Sequence, residues 1–207
     1  MSRRCVILAG GEIGSELQGI QENDYLICAD RGYLAAERAG AEPDMVIGDF
    51  DSLGYVPRCG NLKIYPSGKD DTDTMLAVKH ALSIGADEIH IYGALGGRID
   101  HTLANIQTLA YIAQNGGEGM LIGENERLSL QTAGTVKRYR RRYGWYFSIF
   151  AFSERCEGVS LTGTEYPLEN ALLENSFPLG VSNHITGEYA ELSVGRGCIF
   201  VAEVREV

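Results

Sequence analysis

Periodicity divides this chain in two and sets what it can fold into. Up to about residue 123, short apolar runs alternate with stretches of helical period. Residues 5–9, 25–29, 45–47, 62–65, 88–92 and 120–122 read as strands. Residues 33–39 and 71–84 read as helices, as does a longer segment marked by the stripe Ile99, Leu103, Ile106, Ala110 and Ala113. Strands that alternate with helices pair in parallel, because each crossover returns the chain over a face of the sheet, and both faces become covered. Beyond that point helical period disappears. The runs at 127–131, 145–152, 159–161, 190–194 and 198–204, separated by glycine turns, have the pattern of a small β-sandwich or barrel. The expected fold class is α/β + β, an N-terminal mainly parallel α/β sheet domain over residues 1–124 and a small β domain over 125–207.

Aspartates gather where the N-terminal strands end. Asp30 closes the second run. Gly48-Asp49-Phe50-Asp51-Ser52 closes the third, and if the backbone stays extended, Asp49 and Asp51 project to one face. Asp70, Asp71 and Asp73 follow the fourth run, and Asp100 opens the long helix after the fifth. In a parallel sheet all these places lie on the carboxyl edge, where ligands bind. Each acid alone reads equally as a helix cap or a polar turn. Together they repel unless a cation lies among them, and paired carboxylate oxygens are what Mg²⁺ accepts beside substrate phosphates.

Two further motifs bring positive charge to that edge. Ser67-Gly68-Lys69-Asp70-Asp71-Thr72-Asp73 is not a P-loop, since Asp70 stands where Ser or Thr would follow the lysine. Lys69 is either half of a structural ion pair or a phosphate contact, and Thr72 either a helix N-cap or a hydroxyl donor. Gly93-Ala94-Leu95-Gly96-Gly97-Arg98 is a glycine turn running into a helix, a form that admits phosphate oxygens to backbone N–H groups, with Arg98 placed for a bidentate contact. His101 is either a cap-region residue or a ligand contact.

Composition excludes several functions. A formal net charge of -10 opposes general affinity for nucleic acid or anionic membrane, but not for a small phosphate ligand that brings its own metal. The basic run Lys137-Arg138-Tyr139-Arg140-Arg141-Arg142-Tyr143 then reads as a charge-guarded strand edge rather than an RNA platform. Five scattered cysteines without a C-x-x-C pair fit a reducing compartment, not a disulfide framework. The apolar run near the N-terminus is too short for a signal peptide, and no stretch is long enough to span a bilayer. The expectation is a cytoplasmic protein that binds neither nucleic acid nor membrane. No G-x-S-x-G and no cysteine near a histidine in sequence supports nucleophilic catalysis.

Taken together, these residues resemble the thiamin pyrophosphokinase family. Its G-D-x-D-S turn is matched by Gly48-Asp49-Phe50-Asp51-Ser52, its K-D-x-T-D helix start by Lys69-Asp70-Asp71-Thr72-Asp73, and its G-G-R-x-D-H loop by Gly96-Gly97-Arg98-Ile99-Asp100-His101. A later Y-P-L segment is matched by Tyr166-Pro167-Leu168 and a G-x-S-N segment by Gly180-Val181-Ser182-Asn183. Arg31 stands where many members have a second glycine. The resemblance implies a catalytic α/β domain, a C-terminal β-sandwich that binds thiamin, and a homodimer with active sites at the subunit interface. It implies transfer of the diphosphoryl group of ATP to the hydroxyl of thiamin, with Mg²⁺. Asp49, Asp51 and Asp73 would hold the metal, and Asp70 and Asp100 would ligate it or orient the nucleophile. Asp30, Lys69, Thr72, Arg98 and His101 would contact nucleotide or phosphate, and Ser182 and Asn183 thiamin. Rival readings are another diphosphoryl acceptor such as a pterin alcohol, a non-catalytic thiamin or nucleotide sensor, and an RNA module on residues 137–143.

Overall fold

A computed structural model describes residues 3–14, 17, 19–57, 59–66, 68 and 70–206. The chain divides into two compact units, Met1–Glu124 and Asn125–Val207.

In the first unit the apolar runs become β1 (Arg4–Leu8), β2 (Tyr25–Ala29), β3 (Met45–Gly48), β4 (Leu62–Ile64), β5 (Glu88–Tyr92) and β6 (Glu118–Ile122). They pair in parallel in the order β6-β5-β1-β2-β3-β4. Helices α1 (Gly32–Ala39), α2 (Asp73–Ser83) and α3 (Ile99–Gln114) make the crossovers after β2, β4 and β5. Alternation within the strands builds two cores. Val6, Leu8, Leu26, Cys28 and Val46 pack with Ala35 and Ala36 of α1. Ile7, Ile27, Ile47, Ile89 and Ile91 are fully buried on the opposite face, where α2 packs on β1, β2 and β3 and against α3.

Local chemistry sets the helix ends. Gly40, at φ 66, takes the left-handed position that closes α1. Thr72 is extended and accepts a bond from the Met75 N–H at 3.1 Å, so α2 begins at Asp73, two residues later than its periodicity predicts.

Helix α3 departs from expectation. The stripe read from sequence is not its buried face: Ile99 and Leu103 are 72% and 56% exposed. The face turned inward is Asn105, Thr108, Leu109 and Ile112. Two polar residues on that face hid it, and both are satisfied locally. Asn105 Nδ2 donates to the Ala94 carbonyl at 2.7 Å, and Thr108 Oγ1 to the Ala104 carbonyl at 3.0 Å.

The second unit is all β: β7 (Glu126–Thr132), β8 (Val136–Arg140), β9 (Trp145–Ala151), β10 (Arg155–Thr162), β11 (Leu168–Glu174), β12 (Gly180–Asn183), β13 (Tyr189–Ser193) and β14 (Cys198–Arg205). Strands β12-β9-β14-β7 are neighbours in one antiparallel layer and β11-β10-β13-β8 form another. Phe147, Ile149, Ile199 and Val201 of the first layer pack with Cys156, Val159, Leu161, Leu173, Ala190 and Leu192 of the second, which makes a β-sandwich. Gln131, fully buried, stitches the layers: its Nε2 donates to the Leu192 carbonyl at 2.8 Å and its Oε1 accepts from Tyr139 Oη at 3.0 Å.

Candidate active site

Strands β1 to β4 are laid down in one direction, and the chain then returns to place β5 on the other side of β1. That reversal is a topological switch point, and ligands of open α/β sheets bind beyond the strand ends there. Two glycine turns meet at it. The Gly11 N–H donates to the Gly93 carbonyl at 3.0 Å, and a Cβ on Gly11 would lie 2.4 Å from that oxygen. Only glycine allows the approach.

The acidic turn after β3 is built differently from its extended reading. The strand ends at Gly48, and Phe50 has φ 60, so residues 49–51 are not extended and the alternation argument does not hold. Phe50 instead turns its ring into the core, 3% exposed. Asp49, half-buried, accepts the Asp51 N–H at 3.2 Å through Oδ1, an Asx-type turn that ties the two acids together. Beside them Asp30, at φ 46, donates its N–H to the Ile47 carbonyl at 2.8 Å and accepts Ser52 Oγ on Oδ2 at 2.5 Å. Arg31 is helical in backbone (φ -60, ψ -14), so nothing there requires glycine. The required one is Gly32, where a Cβ would lie 1.8 Å from the Leu8 carbonyl oxygen.

At the start of α2, Asp73 is half-buried in the first turn and Asp70 is exposed; Lys69 lies outside the described residues. Asp71 pairs with Lys79 at 2.6 Å. After β5, Arg98 and Asp100 grip each other, Nε to Oδ1 at 3.1 Å and Nη2 to Oδ2 at 2.5 Å, with both side chains exposed. This fork holds the Asp100 carboxyl below the usual carboxylate range and raises the guanidinium. His101 is exposed, and its N–H donates to Asp100 Oδ1 at 2.9 Å. Asn105, absent from the sequence reading, and Ser52, read there only as the last residue of the acidic motif, are the side chains that pin these loops. Asn105 was detectable as a polar residue amid an apolar helix face.

Parallel pairing therefore puts Asp30, Asp49, Asp51, Asp70, Thr72, Asp73, Arg98, Asp100 and His101 on one edge of the first unit. Among the described residues, no three carboxylate, imidazole or thiol side chains converge closely enough to hold a metal by themselves.

In the second unit the two late motifs form a single object. Gly180 lies so close to β9 that a Cβ would meet the Ile149 carbonyl oxygen at 2.4 Å, and a register shift follows in which Ser182 takes φ 56. Ser182 is exposed, while Asn183 is 4% exposed. The Asn183 amide accepts the Tyr166 and His184 N–H groups at 3.0 and 2.9 Å and donates to the Tyr166 carbonyl at 2.7 Å. Its side chain clamps Tyr166-Pro167-Leu168 against β12. Residues 137–140 of the basic run lie in β8, an edge strand, and residues 141–143 follow it. Arg138 pairs with Glu191, Arg142 pairs with Glu203, Arg141 lies 4.5 Å over Tyr143, and Tyr139 turns inward to Gln131.

Burial pushes the thiols of Cys5 and Cys198 up to about 11 and that of Cys28 up to about 12, so none is a thiolate near neutral pH. Among the described residues, no helix is long and apolar enough to cross a membrane.

An acid-lined switch point with glycine turns, joined in sequence to a β-sandwich, defines a phosphate-handling α/β protein with an appended recognition unit. Comparison narrows the class. The signature of the thiamin pyrophosphokinase catalytic domain matches residues 17–120, and that of the vitamin B1 binding domain of thiamin pyrophosphokinase matches residues 135–199. A thiamine pyrophosphokinase of Bacillus subtilis is 31% identical over 204 residues, covering 94% of this chain and 95% of its own. The crystal structure of thiamine pyrophosphokinase from Bacillus subtilis matches with a TM-score of 0.91 at 28% identity, over 99% of this chain and 100% of that one. That of thiamin pyrophosphokinase from Geobacillus thermodenitrificans gives 0.86 at 25% identity, over 98% of each. The chain belongs to the thiamin pyrophosphokinase family. It is an enzyme, a diphosphotransferase, and the reaction of its family moves the diphosphoryl group of ATP to thiamin.

Proposed function

We propose that this chain makes thiamin diphosphate and AMP at the carboxyl edge of the first unit, as a Mg²⁺-dependent homodimer in the cytoplasm. The observation that carries this reading is the edge itself, where parallel strands bring Asp30 together with the motif aspartates Asp49, Asp51, Asp73 and Asp100 and with Arg98.

Asp30 Oδ1 is a buried carboxylate oxygen that no donor among the described residues reaches, and the donor set is all oxygen, which fits Mg²⁺. Asp49, Asp51 and Asp73 would hold it, with Asp70 and Asp100 ligating it or orienting the nucleophile, and when bound it neutralises charge on the phosphate oxygens.

The chain's own residues do the positioning. Backbone N–H groups of the Gly93–Gly97 turn, Lys69 and Arg98 would contact the polyphosphate, Thr72 and His101 would complete the nucleotide contacts, and Asp30 would reach the nucleotide through the cation that accompanies it. Thr72 Oγ1 accepts from the helix N–H and keeps its own proton to donate. The thiamin hydroxyl oxygen bonds to the β-phosphorus, the bond from that phosphorus to the bridging α–β oxygen breaks, AMP leaves, and the hydroxyl proton passes to a carboxylate of the edge. Rate then comes mainly from alignment and charge neutralisation. Ser182 of the bulge contacts thiamin in a second copy's site, and Asn183 acts through the clamp on Tyr166-Pro167-Leu168. Tyr166, Leu172, Phe177, Leu179 and Val181, all exposed, support an apolar contact with that copy.

Purified protein with ATP, Mg²⁺ and thiamin tests this, following AMP and thiamin diphosphate by chromatography. The expected result is equal amounts of both, abolished by EDTA. AMP without thiamin diphosphate would transfer the reading to another acceptor, and ligand binding without turnover would favour the sensor.

A further inference from the structure

Asp30 is held at three points. Its backbone is left-handed at φ 46, a conformation that costs a non-glycine residue on the order of 1 kcal/mol. Its N–H is bound to the Ile47 carbonyl, and Gly48 leaves only 3.2 Å between a hypothetical Cβ and the Asp30 Cα. Its carboxylate is bound on one oxygen by the Ser52 hydroxyl. The other oxygen, Oδ1, is buried, and no donor among the described residues reaches it.

Leaving a charged acceptor buried and unsatisfied is unfavourable, and buried polar atoms in native proteins are nearly always paired. Here the arrangement is actively maintained. The Ser52 side chain is exposed and has the freedom to bond water, yet it is directed onto Asp30 Oδ2. With that oxygen fixed, rotation of the carboxylate cannot bring Oδ1 into solvent. A phosphate oxygen next to Oδ1 would repel it, so the complementary group is a cation.

We propose that Ser52 is a positioning residue for Asp30, locking its carboxylate so that Oδ1 is offered to the divalent cation that accompanies the nucleotide polyphosphate. Ser52 touches neither the cation nor the reacting atoms; it acts through Asp30. The inference rests on the reading of this edge as the polyphosphate site.

A double-mutant cycle in the full-length chain tests it, with affinity for Mn²⁺ plus ADP read by calorimetry. ADP allows binding to be measured apart from transfer to thiamin. Ser52→Ala should weaken binding of the pair about 5- to 10-fold, while ADP without metal binds equally to both proteins. Ser52→Thr, which keeps the hydroxyl, should restore most of the affinity. In the Asp30→Asn background, Ser52→Ala should have no further effect, because the group it positions is gone. Ser52→Cys, similar in size and a poor donor, serves as the second variant and should match Ser52→Ala. An unchanged affinity in Ser52→Ala and Ser52→Cys, or the same loss with and without Asp30, would overturn the proposal. So would an equal loss for ADP without metal. If wild-type protein binds no ADP at all, the reading of the edge fails first, so the two ideas fail separately.

Discussion

The loops after β2 and β3 and the loop after β5 carry the same kind of residues on the same edge and are built in opposite ways. Around Asp30 and Asp49 the backbone does the work: left-handed residues, a glycine contact that admits no side chain, and a buried aromatic fix where each acid points. Around Arg98 and Asp100 the side chains are exposed and hold each other, with the His101 N–H also on Asp100. The first region is organised before ligand arrives. The second is self-neutralised, and under the proposed function it would trade one ion pair for another on binding a polyphosphate. Under the proposed function such a site would split its labour, with fixed geometry offered to the metal and nucleotide and adaptable charge offered to the transferring group.

The largest effect that would break this contrast is on stability. Gly32→Ala should destabilise the chain by about 3 kcal/mol, since its Cβ would overlap the Leu8 carbonyl where backbone, not a flexible side chain, is in the way. Chemical denaturation measures it, and a loss below ~1 kcal/mol would mean that the held region is softer than described.

Next comes Asp73→Asn, at the capped start of α2. It keeps shape and removes charge, so turnover should fall by ~100-fold or more while the melting temperature stays within a few degrees. Turnover near wild type would remove Asp73 from the machinery.

The smallest effect belongs to the exposed pair. Asp100→Asn should leave the melting temperature where it is, because exposed ion pairs contribute little, yet lower the KM for ATP a few-fold as Arg98 is freed, with a fall in kcat. The sign of its pH dependence follows from the fork. The folded Asp100 carboxyl titrates below its unfolded value, so the pair is fully formed above the ordinary carboxylate range and is lost only as pH falls through the lower folded value. NMR titration should therefore show Asp100 ionised throughout about pH 5 to 8. A midpoint inside that window would mean that the pair does not persist in solution.

Much of this was legible in the sequence, for identifiable reasons. Strands buried on both faces are continuous apolar runs, and β1, β2 and β3 stand out as such. The motif aspartates could be placed on one edge because parallel pairing leaves no other place for strand ends. What escaped notice was structure held by contacts rather than composition. Strand β11, Leu-Glu-Asn-Ala-Leu-Leu-Glu, has the letters of a helix and is extended because β10 pairs with it. The buried face of α3 was missed because Asn105 and Thr108 lie on it. The turn at 49–51 was misjudged as extended because nothing in Gly-Asp-Phe-Asp announces that the phenylalanine is left-handed. Ser52 could be read as part of a motif, but its hydrogen bond to Asp30, twenty-two positions away, could not.

That phenylalanine ties the fate of the acidic turn to the fate of the core. A buried phenyl ring covers roughly 150–200 Å² of apolar surface, so withdrawing it costs on the order of 4 kcal/mol. Asp49 and Asp51 therefore cannot drift apart by ordinary loop motion. Amide protons of this turn should exchange with solvent almost as slowly as those of β3, hundreds of times more slowly than those of a free surface loop. A region that looks from outside like a polar bend belongs, on the timescale of opening, to the interior.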